Sequence, residues 1–494
     1  MIEHDAVQQR INDYAAFGAI KPFPSAQQPS FLQPLHLIAK PDAKPRIVLD
    51  LSRNLNQFLH PTPFHYSSVD DAVELATQDC WFGKLDLANC FLSFDMDERA
   101  RQFLTFQFNG RTLQFTRLPF GLATAPYQCT QLLSVPAFCL EQMGLKFIRY
   151  IDDFLFIESS PEGLAKALDT ATNIFQQFGL VTNPAKRVGP VKQITFLGIR
   201  LDSEEQSLSC PPERIKELSR LLRETSSASS ISIRQAQSLV GKLSFAARVL
   251  HGARPFMRRL YELVSTHKHR SRHSRISIND GWRADCLYWL SHLERWNGGV
   301  HWRCSEKAPV VFATDASVNG FGFYIEHIPS HLKAAAEGWP KELQLGVGYA
   351  GEFDSTHSHL HQSHKQISWS EMFAVVAAIV TFGSRIRDQA VLFLVDNQTD
   401  VAIINRQSTR SSQLSGLLRR LFSEVLVFNL ALRASHRRGD DNTLADFLSR
   451  PCRGDRVKQW QAWYPQQAHR LSVCISVNSL AFNPMSESPS SISS

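Results

Sequence analysis

Runs of β-branched and aromatic residues, separated by polar turns, dominate the first two-fifths of the chain. Leu35–Ala39 and Arg46–Asp50 flank a turn rich in lysine and proline, which predicts a pair of strands. Phe82–Phe91 predicts another strand, interrupted by a single acid, and Phe147–Ile157 predicts two strands that meet at adjacent acids. Apolar residues then recur at helical spacing over Leu164–Phe178. This part of the chain therefore predicts a mixture of strands and helices.

The pattern becomes mainly helical after residue 205. Pro211–Arg214 predicts a helix start, because proline is tolerated in a first turn, and Arg234–Leu250 repeats apolar residues at helical spacing. Trp282–Trp296 predicts an amphipathic helix whose tryptophans we expect in a core. Strands ending in an acid return at Val310–Ser317 and Val391–Asn397.

Composition indicates an ordinary globular protein of about three or four domains at ~100–200 residues each. A net charge of +7 is compatible with nucleic acid but is weak evidence for it. The nine cysteines include no C-x-x-C pair, which argues against a zinc ribbon or a disulfide scaffold and favours a reducing compartment. An acidic N-terminus without an apolar run predicts no signal peptide, and no apolar stretch is long enough to predict a membrane span. We expect an intracellular protein, in cytoplasm or nucleus.

Three acids suggest a metal site in the first part of the chain. Asp152 and Asp153 are adjacent at a predicted hairpin turn, where two carboxylates repel each other unless a cation neutralises them. Asp86 interrupts a hydrophobic strand, and a carboxylate there is costly unless it is paired or metal-bound. Oxygen ligands favour a hard divalent ion. An isolated Asp-Asp pair is more often a surface turn, so the neighbouring motifs decide the interpretation.

Residues suited to substrate binding accompany these acids. Gly121, after Phe120, is followed by small residues that would let a planar ligand approach the backbone. Basic residues at the tip of the first strand pair suit phosphate contact, with a solvated turn as the alternative. Phe91 follows Asp86 by five residues and on its own would be a core residue, and Lys186 lies in a predicted loop.

These motifs, in this order from about residue 31 to 205, resemble the reverse transcriptase family. The resemblance implies a right-hand polymerase whose palm uses Asp86, Asp152 and Asp153 as catalytic acids for two Mg²⁺ ions, with Mn²⁺ as an alternative. It also implies that Phe91 is a steric gate against ribonucleotides, that Lys40 and Arg46 hold the triphosphate, and that Lys186 is a proton donor to the leaving pyrophosphate. Phe120 and Gly121 are the remaining candidates for substrate binding.

The helical region that follows resembles a polymerase thumb. Gly241–Ala247 and Gly252–Leu260 are similar to the thumb of DIRS-type retrotransposons, with a gypsy-like element as the alternative. The basic run Lys268–Arg275 is either a solvated linker or a contact to template phosphates.

A second series of motifs resembles ribonuclease H over about residues 308–450. In chain order it consists of a strand that ends in an acid, a helix that carries an acid, another strand that ends in an acid, a loop with a histidine and a helix with an acid. The resemblance implies a second pair of Mg²⁺ ions on four carboxylates and a histidine on a mobile loop that assists product release or protonation. In that order the residues are Asp315, Glu371, Asp396, His436 and Asp446. A histidine-rich insert, 357–364, could bind a metal by its spacing or be a polar surface loop.

The predicted fold class is α/β and α+β multidomain: a right-hand polymerase with fingers, palm and thumb, then a connection and a ribonuclease H-like α/β domain. The expected partners are an RNA template, a DNA primer, an RNA/DNA hybrid and dNTPs, with capsid, recombinase or integrase proteins of the same element as further candidates. The predicted domains are an N-terminal lead-in (1–30), fingers and palm (31–205), thumb (206–265), connection (266–307), ribonuclease H-like domain (308–452) and an irregular tail (453–494).

Three other functions fit parts of the sequence: a decayed copy, a domesticated nucleic-acid-binding protein and an RNA-synthesising polymerase. The presence of all seven metal-binding acids argues against decay. Phe91 argues against RNA synthesis, because a phenyl ring beneath the sugar leaves no room for a 2′-hydroxyl.

Overall fold

The structure, a computed structural model, describes residues 2–24, 28–29, 31–40, 43–60, 62–250, 252–297, 300–301, 309–318, 320–332, 348–353 and 367–450. The insert at 357–364 and the predicted tail from 453 lie outside the described residues. The chain forms two compact units, Met1–Leu197 with Leu201–Glu205, and Gly198–Arg200 with Gln206–Ser494. The finer domain boundaries remain predictions.

Short strands and helices alternate through residues 1–205. The strands are β1 Ile20–Pro22, β2 Leu35–Lys40, β3 Ala43–Leu49, β4 Trp81–Asp86, β5 Thr105–Phe108, β6 Arg111–Phe115, β7 Phe147–Tyr150, β8 Asp153–Glu158, β9 Val188–Val191, β10 Gln193–Phe196 and β11 Ile199–Asp202. The helices are α1 Ile2–Ala16, α2 Val69–Leu75, α3 Glu98–Arg101, α4 Ala125–Leu132, α5 Ser134–Gln142 and α6 Pro161–Gln177, with 3₁₀ turns at Leu55–Phe58, Cys90–Ser93 and Pro184–Lys186.

The rest of the chain begins with helices and ends with a sheet. Its strands are β12 Ser207–Ser209, β13 Ser230–Ser232, β14 Arg275–Ser277, β15 Val300–His301, β16 Val310–Ala316, β17 Gly320–His327, β18 Gly348–Glu352, β19 Ala390–Val395 and β20 Ala431–His436. Its helices are α7 Pro212–Ser227, α8 Ile233–Ala246, α9 Arg258–Thr266, α10 Asp280–Trp296, α11 Ile367–Phe382, α12 Gln398–Arg406, α13 Ser412–Val427 and α14 Thr443–Ser449, with 3₁₀ turns at Arg254–Met257 and Gly439–Asp441.

A four-stranded sheet in the order β7-β8-β4-β9 forms the centre of the first unit. Its inner strands are apolar because one face is covered by α6, which buries Leu164, Leu168 and Phe175 against it. Phe154 and Phe156 are fully buried from the sheet side. This packing leaves the strand ends near residues 86 and 153 available for polar chemistry.

The N-terminal segment is part of the fold rather than a lead-in to it. Val7, Ile11 and Tyr14 lie at helical spacing on α1 and are buried in the same core as the central sheet. After α1 the chain adds β1 to the edge of β6 in an antiparallel pair. The mostly polar composition of this helix obscured the three apolar positions through which it packs on the core.

Two sequence expectations changed in detail. The single strand expected over 195–201 is two strands, because Leu197 and Gly198 both adopt positive φ, at 49° and 76°, and reverse the chain. The basic run over 268–275 is solvent-exposed, as expected for a solvated linker, but it is also hydrogen-bonded to the start of α8. The carbonyls of Arg272 and Ser274 accept hydrogen bonds from the first amides of α8, at 2.9 and 3.0 Å.

A five-stranded sheet in the order β18-β17-β16-β19-β20 organises the end of the second unit. β16 to β18 are antiparallel, whereas β19 and β20 run parallel to β16. α11 is apolar on all sides and eleven of its sixteen residues are buried, since it is enclosed by the sheet and α13. No described helix, α11 included, combines the length and apolarity needed to cross a membrane.

A buried ion pair joins α10 to α13 within the second unit. The guanidinium of Arg419 donates to Asp285 at 2.6 Å, and these residues are 2% and 0% exposed. Burial raises the pKa of Asp285, and the charge of Arg419 opposes that rise. Removing one partner of such a pair leaves an uncompensated charge, so the pair ties the two helices together.

A substitution at Gly121 would test how closely the backbone segments of the first unit pack. Its φ is +106°, and a Cβ atom there would lie 2.0 Å from the carbonyl oxygen of Leu49. We expect Gly121→Ala to lower the free energy of unfolding by at least about 3 kcal/mol, because the clash adds to backbone strain. Denaturant unfolding would measure it.

Gly110 is the matched control, since it also has positive φ, +71°, but a Cβ atom added there would meet no other atom within 4 Å. Gly110→Ala should cost only the strain, about 1–2 kcal/mol. Equal losses for the two variants would contradict the steric argument.

Candidate active sites

Strand register brings the first set of acids together. β4 and β8 are antiparallel, and Asp86 lies directly opposite Asp153 in the ladder. β7 and β8 form the predicted hairpin, with Tyr150 opposite Asp153, so the turn consists of Ile151 and Asp152. The three acids therefore share one end of the sheet.

The turn is fixed by its backbone. Ile151 adopts a positive φ of 54°, which is unusual for a β-branched residue and marks local strain. The amide of Leu87, next to Asp86, donates to the carbonyl of Asp152 at 3.0 Å. This bond holds the turn against the end of β4 and keeps Asp152 beside Asp86.

Two lysines compensate the acids. Lys186 donates to both carboxylate oxygens of Asp86 at 2.8 Å, and Lys84 lies 3.2 Å from Asp153. Burial raises the pKa of Asp152 and of Asp153, and neighbouring acids add to both rises. Several half-buried carboxylates that need positive charge suit a hard divalent cation, which the predicted Mg²⁺ would provide.

Three of the predicted nucleotide-binding residues lie next to one another. The guanidinium of Arg46 is 4.0 Å from the ring centre of Phe120, and the rings of Phe120 and Phe91 are 5.1 Å apart. Phe91 follows Asn89, which adopts a left-handed backbone conformation, φ +51°, before the short 3₁₀ turn. Lys40 ends β2, and its side chain lies outside the described residues.

The group that closely approaches the backbone at Gly121 belongs to the protein itself and is not a ligand. Its missing side chain accommodates the carbonyl of Leu49 on β3, and the amide of Leu49 donates to the carbonyl of Phe120 at 3.1 Å. A role for Gly121 in binding a planar ligand remains a prediction.

The second set of acids meets at the end of the five-stranded sheet. Asp315 is on β16, and Asp396 follows β19, its parallel neighbour, so the same register brings both to one edge. Glu371 reaches them from α11. Carboxylate oxygens of these three residues all lie within 4.8 Å of one another, and they are the one metal-compatible group of this kind within the described parts of the chain.

Burial dominates the electrostatics of this cluster. Asp315 and Glu371 are 5% and 1% exposed, and burial raises the pKa of Asp315 to about 6 and that of Glu371 well above its usual range. Glu371 accepts a hydrogen bond from the amide of Ala316 at 3.1 Å, whereas its second oxygen is buried without a hydrogen-bond partner among the described residues. Three close carboxylates with one unsatisfied oxygen fit a divalent cation.

The fourth predicted acid is paired with the residue that follows its own helix. Asp446 on α14 accepts a hydrogen bond from Arg450 at 3.0 Å. Asp446 is nonetheless close enough for its charge to raise the pKa of Asp315. The structure therefore brings three of the four acids into a close cluster. The fourth, Asp446, lies beside the cluster and is hydrogen-bonded to Arg450.

His436 lies at the end of a strand rather than on a loop. It is the last residue of β20, opposite Val395, and its Nε2 atom is 3.0 Å from the carbonyl oxygen of Asp396. The next residue, Arg437, donates to Glu326 on β17 at 2.8 Å. The expected mobile loop is thus anchored on both sides of this histidine.

Three contacts to these acids were not predicted from the sequence. Lys84 pairs with Asp153, Ser449 donates to Asp315 at 2.6 Å, and Arg450 pairs with Asp446. Lys84 could have been found, since it stands two residues before Asp86 and therefore shares its strand face. Arg450 could also have been found from its i, i+4 spacing to Asp446.

A family model described as "Reverse transcriptase (RNA-dependent DNA polymerase)" matches residues 38–201. The match contains β4, the hairpin of β7 and β8, and all three acids at their meeting point. Residues 38–201 form a reverse transcriptase domain.

Several proteins similar to this chain are polyproteins. The chain is 28% identical over 181 residues to the retrovirus-related Pol polyprotein from transposon 412 of Drosophila melanogaster, covering 35% of this chain and 14% of that protein. It is 24% identical over 262 residues to the Pro-Pol polyprotein of simian foamy virus type 3 (strain LK3), covering 53% and 21%. The enzymatic polyprotein of cauliflower mosaic virus (strain Strasbourg) is 22% identical over 457 residues, covering 91% and 61%. The chain thus spans a minor part of the first two relatives.

Solved structures of similar fold extend beyond the reverse transcriptase domain. A foamy viral protease-reverse transcriptase in complex with double-stranded DNA has a TM-score of 0.55 at 18% identity, covering 87% of this chain and 69% of that chain. The same kind of protein in complex with an RNA/DNA hybrid has a TM-score of 0.51 at 14% identity, covering 91% and 76%. The fold is a right-hand polymerase followed by a connection and a ribonuclease H-like domain, so the predicted fold class is confirmed.

Asp315 provides a pH-dependent test of the second cluster. Its pKa is raised to about 6, so its favourable contribution to stability is present below its unfolded pKa, near 3.9, and is lost as the pH rises through 6. Without divalent metal at pH 8, Asp315→Asn should therefore raise the free energy of unfolding by roughly 1–2 kcal/mol. Denaturant unfolding in EDTA would measure this change.

Added Mg²⁺ should stabilise the wild type and stabilise Asp315→Asn far less. Asp440→Asn, at an exposed acid on the neighbouring 3₁₀ turn, should change neither value appreciably. A loss of stability for Asp315→Asn in EDTA would show that its bond to Ser449 outweighs the cost of its burial.

Proposed function

We propose that the chain is an RNA-directed DNA polymerase of a retroelement that also cleaves the RNA strand of RNA/DNA hybrids. The supporting observation is that one chain carries two separate carboxylate clusters, one at Asp86 and Asp153 and one at Asp315, Glu371 and Asp396. Two-metal catalysis of phosphoryl transfer needs such clusters more than it needs a protein nucleophile.

The polymerase site would join a dNTP to a primer end. Asp86, Asp152 and Asp153 would hold Mg²⁺, which when bound supplies activation of the primer hydroxyl and neutralisation of the leaving pyrophosphate. Arg46 stands beside Phe120, where its guanidinium is suited to a triphosphate. Lys186, which donates a hydrogen bond to Asp86 in this structure, could transfer a proton to the pyrophosphate.

Sugar selection would depend on Phe91. Its ring packs 5.1 Å from that of Phe120, which in turn lies under Arg46, so the gate is supported by a neighbouring aromatic ring. A supported ring beneath the sugar excludes a 2′-hydroxyl by volume.

The hydrolase site would cut the RNA of the product hybrid. Asp315, Glu371 and Asp396, with Asp446 beside them, would hold Mg²⁺, which when bound supplies an activated water and stabilisation of the departing 3′-oxyanion. His436, next to Asp396, is placed to exchange a proton with the product.

The substrates follow from this assignment: an RNA template, a DNA primer, dNTPs and an RNA/DNA hybrid. The similar foamy viral structures are complexes with double-stranded DNA and with an RNA/DNA hybrid, and the net charge of +7 suits a polyanion. We assign the element to the DIRS type; a neighbouring tyrosine recombinase gene would support this, and an integrase gene would favour the gypsy-like alternative.

Single substitutions should separate the two activities. Asp152→Asn should abolish primer extension on an RNA template and leave cleavage of a labelled hybrid intact, because each cluster serves one reaction. Asp396→Asn should do the reverse. Extension and cleavage assays on the same purified preparations would measure both.

Asp440→Asn is the control and should retain both activities. If either single substitution removed both reactions in a folded protein, the two-site proposal would fail. A wild type that binds hybrid but neither extends nor cuts under varied metal and salt would instead favour a nucleic-acid-binding module.

The gate has its own test. Phe91→Val should admit rNTPs, raising the ratio of kcat/KM for rNTP to that for dNTP by about 100-fold, a change of about 3 kcal/mol in discrimination. Steady-state incorporation of matched rCTP and dCTP would measure the ratio. Phe94→Val, at another half-buried phenylalanine just after the same turn, is the control. Unchanged sugar selectivity in Phe91→Val would show that Phe91 is not the steric gate.

A further inference from the structure

Lys84 lies on the same face of β4 as Asp86, because side chains two residues apart on a strand point the same way. Asp86 is opposite Asp153 in the ladder, and Lys84 is opposite Leu155. Lys84 therefore reaches diagonally across the ladder, and its Nζ atom lies 3.2 Å from Oδ1 of Asp153. Lys84 is therefore a positively charged residue of the sheet itself, next to the three acids.

The two lysines at this site differ in freedom. The side chain of Lys186 is 56% exposed and extends from a short 3₁₀ turn. The side chain of Lys84 is only 22% exposed and belongs to β4, an inner strand of the sheet. Lys186 can leave Asp86 when substrate or metal arrives, whereas Lys84 is held in place by the strand that carries it.

The lysines also differ in the acid on which each has its larger effect. Burial has the largest effect on the pKa of Asp153 and raises it, and Lys84 provides the largest opposing effect. Burial likewise raises the pKa of Asp152, but there the opposing lysine is Lys186. Lys84 is thus the main positive partner of Asp153, to which Lys186 adds a smaller effect, whereas Lys186 is the lysine that supports the charge of Asp152.

We propose that Lys84 is a positioning residue that restrains the Asp153 carboxylate, so that Asp86 and Asp152 become the principal ligands of the metal ions. This inference rests on the proposed polymerase function. Without Lys84, Asp153 would be a free carboxylate next to two others and would compete for the metal in unproductive geometries. Lys84 therefore determines which of the three acids are free to bind metal.

A double-mutant cycle tests the link. Lys84→Met should lower kcat for primer extension at least tenfold in the wild-type background and less than twofold in the Asp153→Asn background. Lys84→Arg, which keeps the charge, should retain at least half of kcat. Hybrid cleavage by the same preparations is an internal control and should not change.

Lys192→Met is the matched control. Lys192 is 23% exposed and pairs with Asp79 at 2.8 Å in the same unit, so it is a comparable ion pair away from the acids. Its substitution should leave kcat within twofold of the wild type. Lys84→Gln replaces Lys84→Met in the cycle if the methionine variant does not fold.

Mn²⁺ binding gives a readout that does not depend on activity. Electron paramagnetic resonance would follow it in protein carrying Asp396→Asn, which weakens the second cluster. Lys84→Met should tighten Mn²⁺ binding several-fold because Asp153 is released, and this gain should shrink at least threefold when Asp153→Asn is also present.

An equal loss of kcat with and without Asp153, or an equal gain in Mn²⁺ affinity, would overturn the role of Lys84. Failure of the wild type to extend a primer would count against the proposed polymerase instead. The Mn²⁺ comparison would still decide whether Lys84 acts through Asp153.

Discussion

Repulsion between carboxylates is the constraint on which both sites depend. Acids that share a sheet end or a helix face cannot all stay charged in a half-buried place unless something positive joins them. The fold forces them together regardless, because β4 and β8 pair in a register that sets Asp86 against Asp153, and β16 and β19 bring Asp315 and Asp396 to the same edge. Each cluster is therefore unstable as an isolated set of charges and is ready to accept a cation.

The two clusters relieve that repulsion differently. In the reverse transcriptase domain, lysines supply the positive charge, with Lys186 on Asp86 and Lys84 on Asp153. In the ribonuclease H-like domain, deep burial favours the protonated form of Glu371, and a hydroxyl hydrogen bond supports Asp315. The repulsion is thus opposed by ion pairs in the first cluster and by protonation and a hydrogen bond in the second.

Much of this arrangement could be read from the sequence, because local patterns report local structure. The hairpin around Asp152 follows from two apolar runs and their turn, and the tryptophan-rich helix buries Trp282 and Trp289 as expected. What the sequence did not reveal depends on partners distant along the chain. The bond from Ser449 to Asp315 joins positions 134 residues apart. Among the described side chains of α1, three large apolar ones are buried, too weak a pattern to separate this helix from a polar leader.

The pair of Asp285 and Arg419 bears on modularity. The acid belongs to α10, upstream of the ribonuclease H-like sheet, and its arginine belongs to α13, within that domain. A recombination event that joined a foreign ribonuclease H-like module at residue 308 would bring in a new α13 and remove the 2.6 Å hydrogen bond to Asp285, leaving this acid with Arg259 at 3.7 Å. A crossover upstream of residue 280 would instead keep α10 and α13 together and preserve the buried pair.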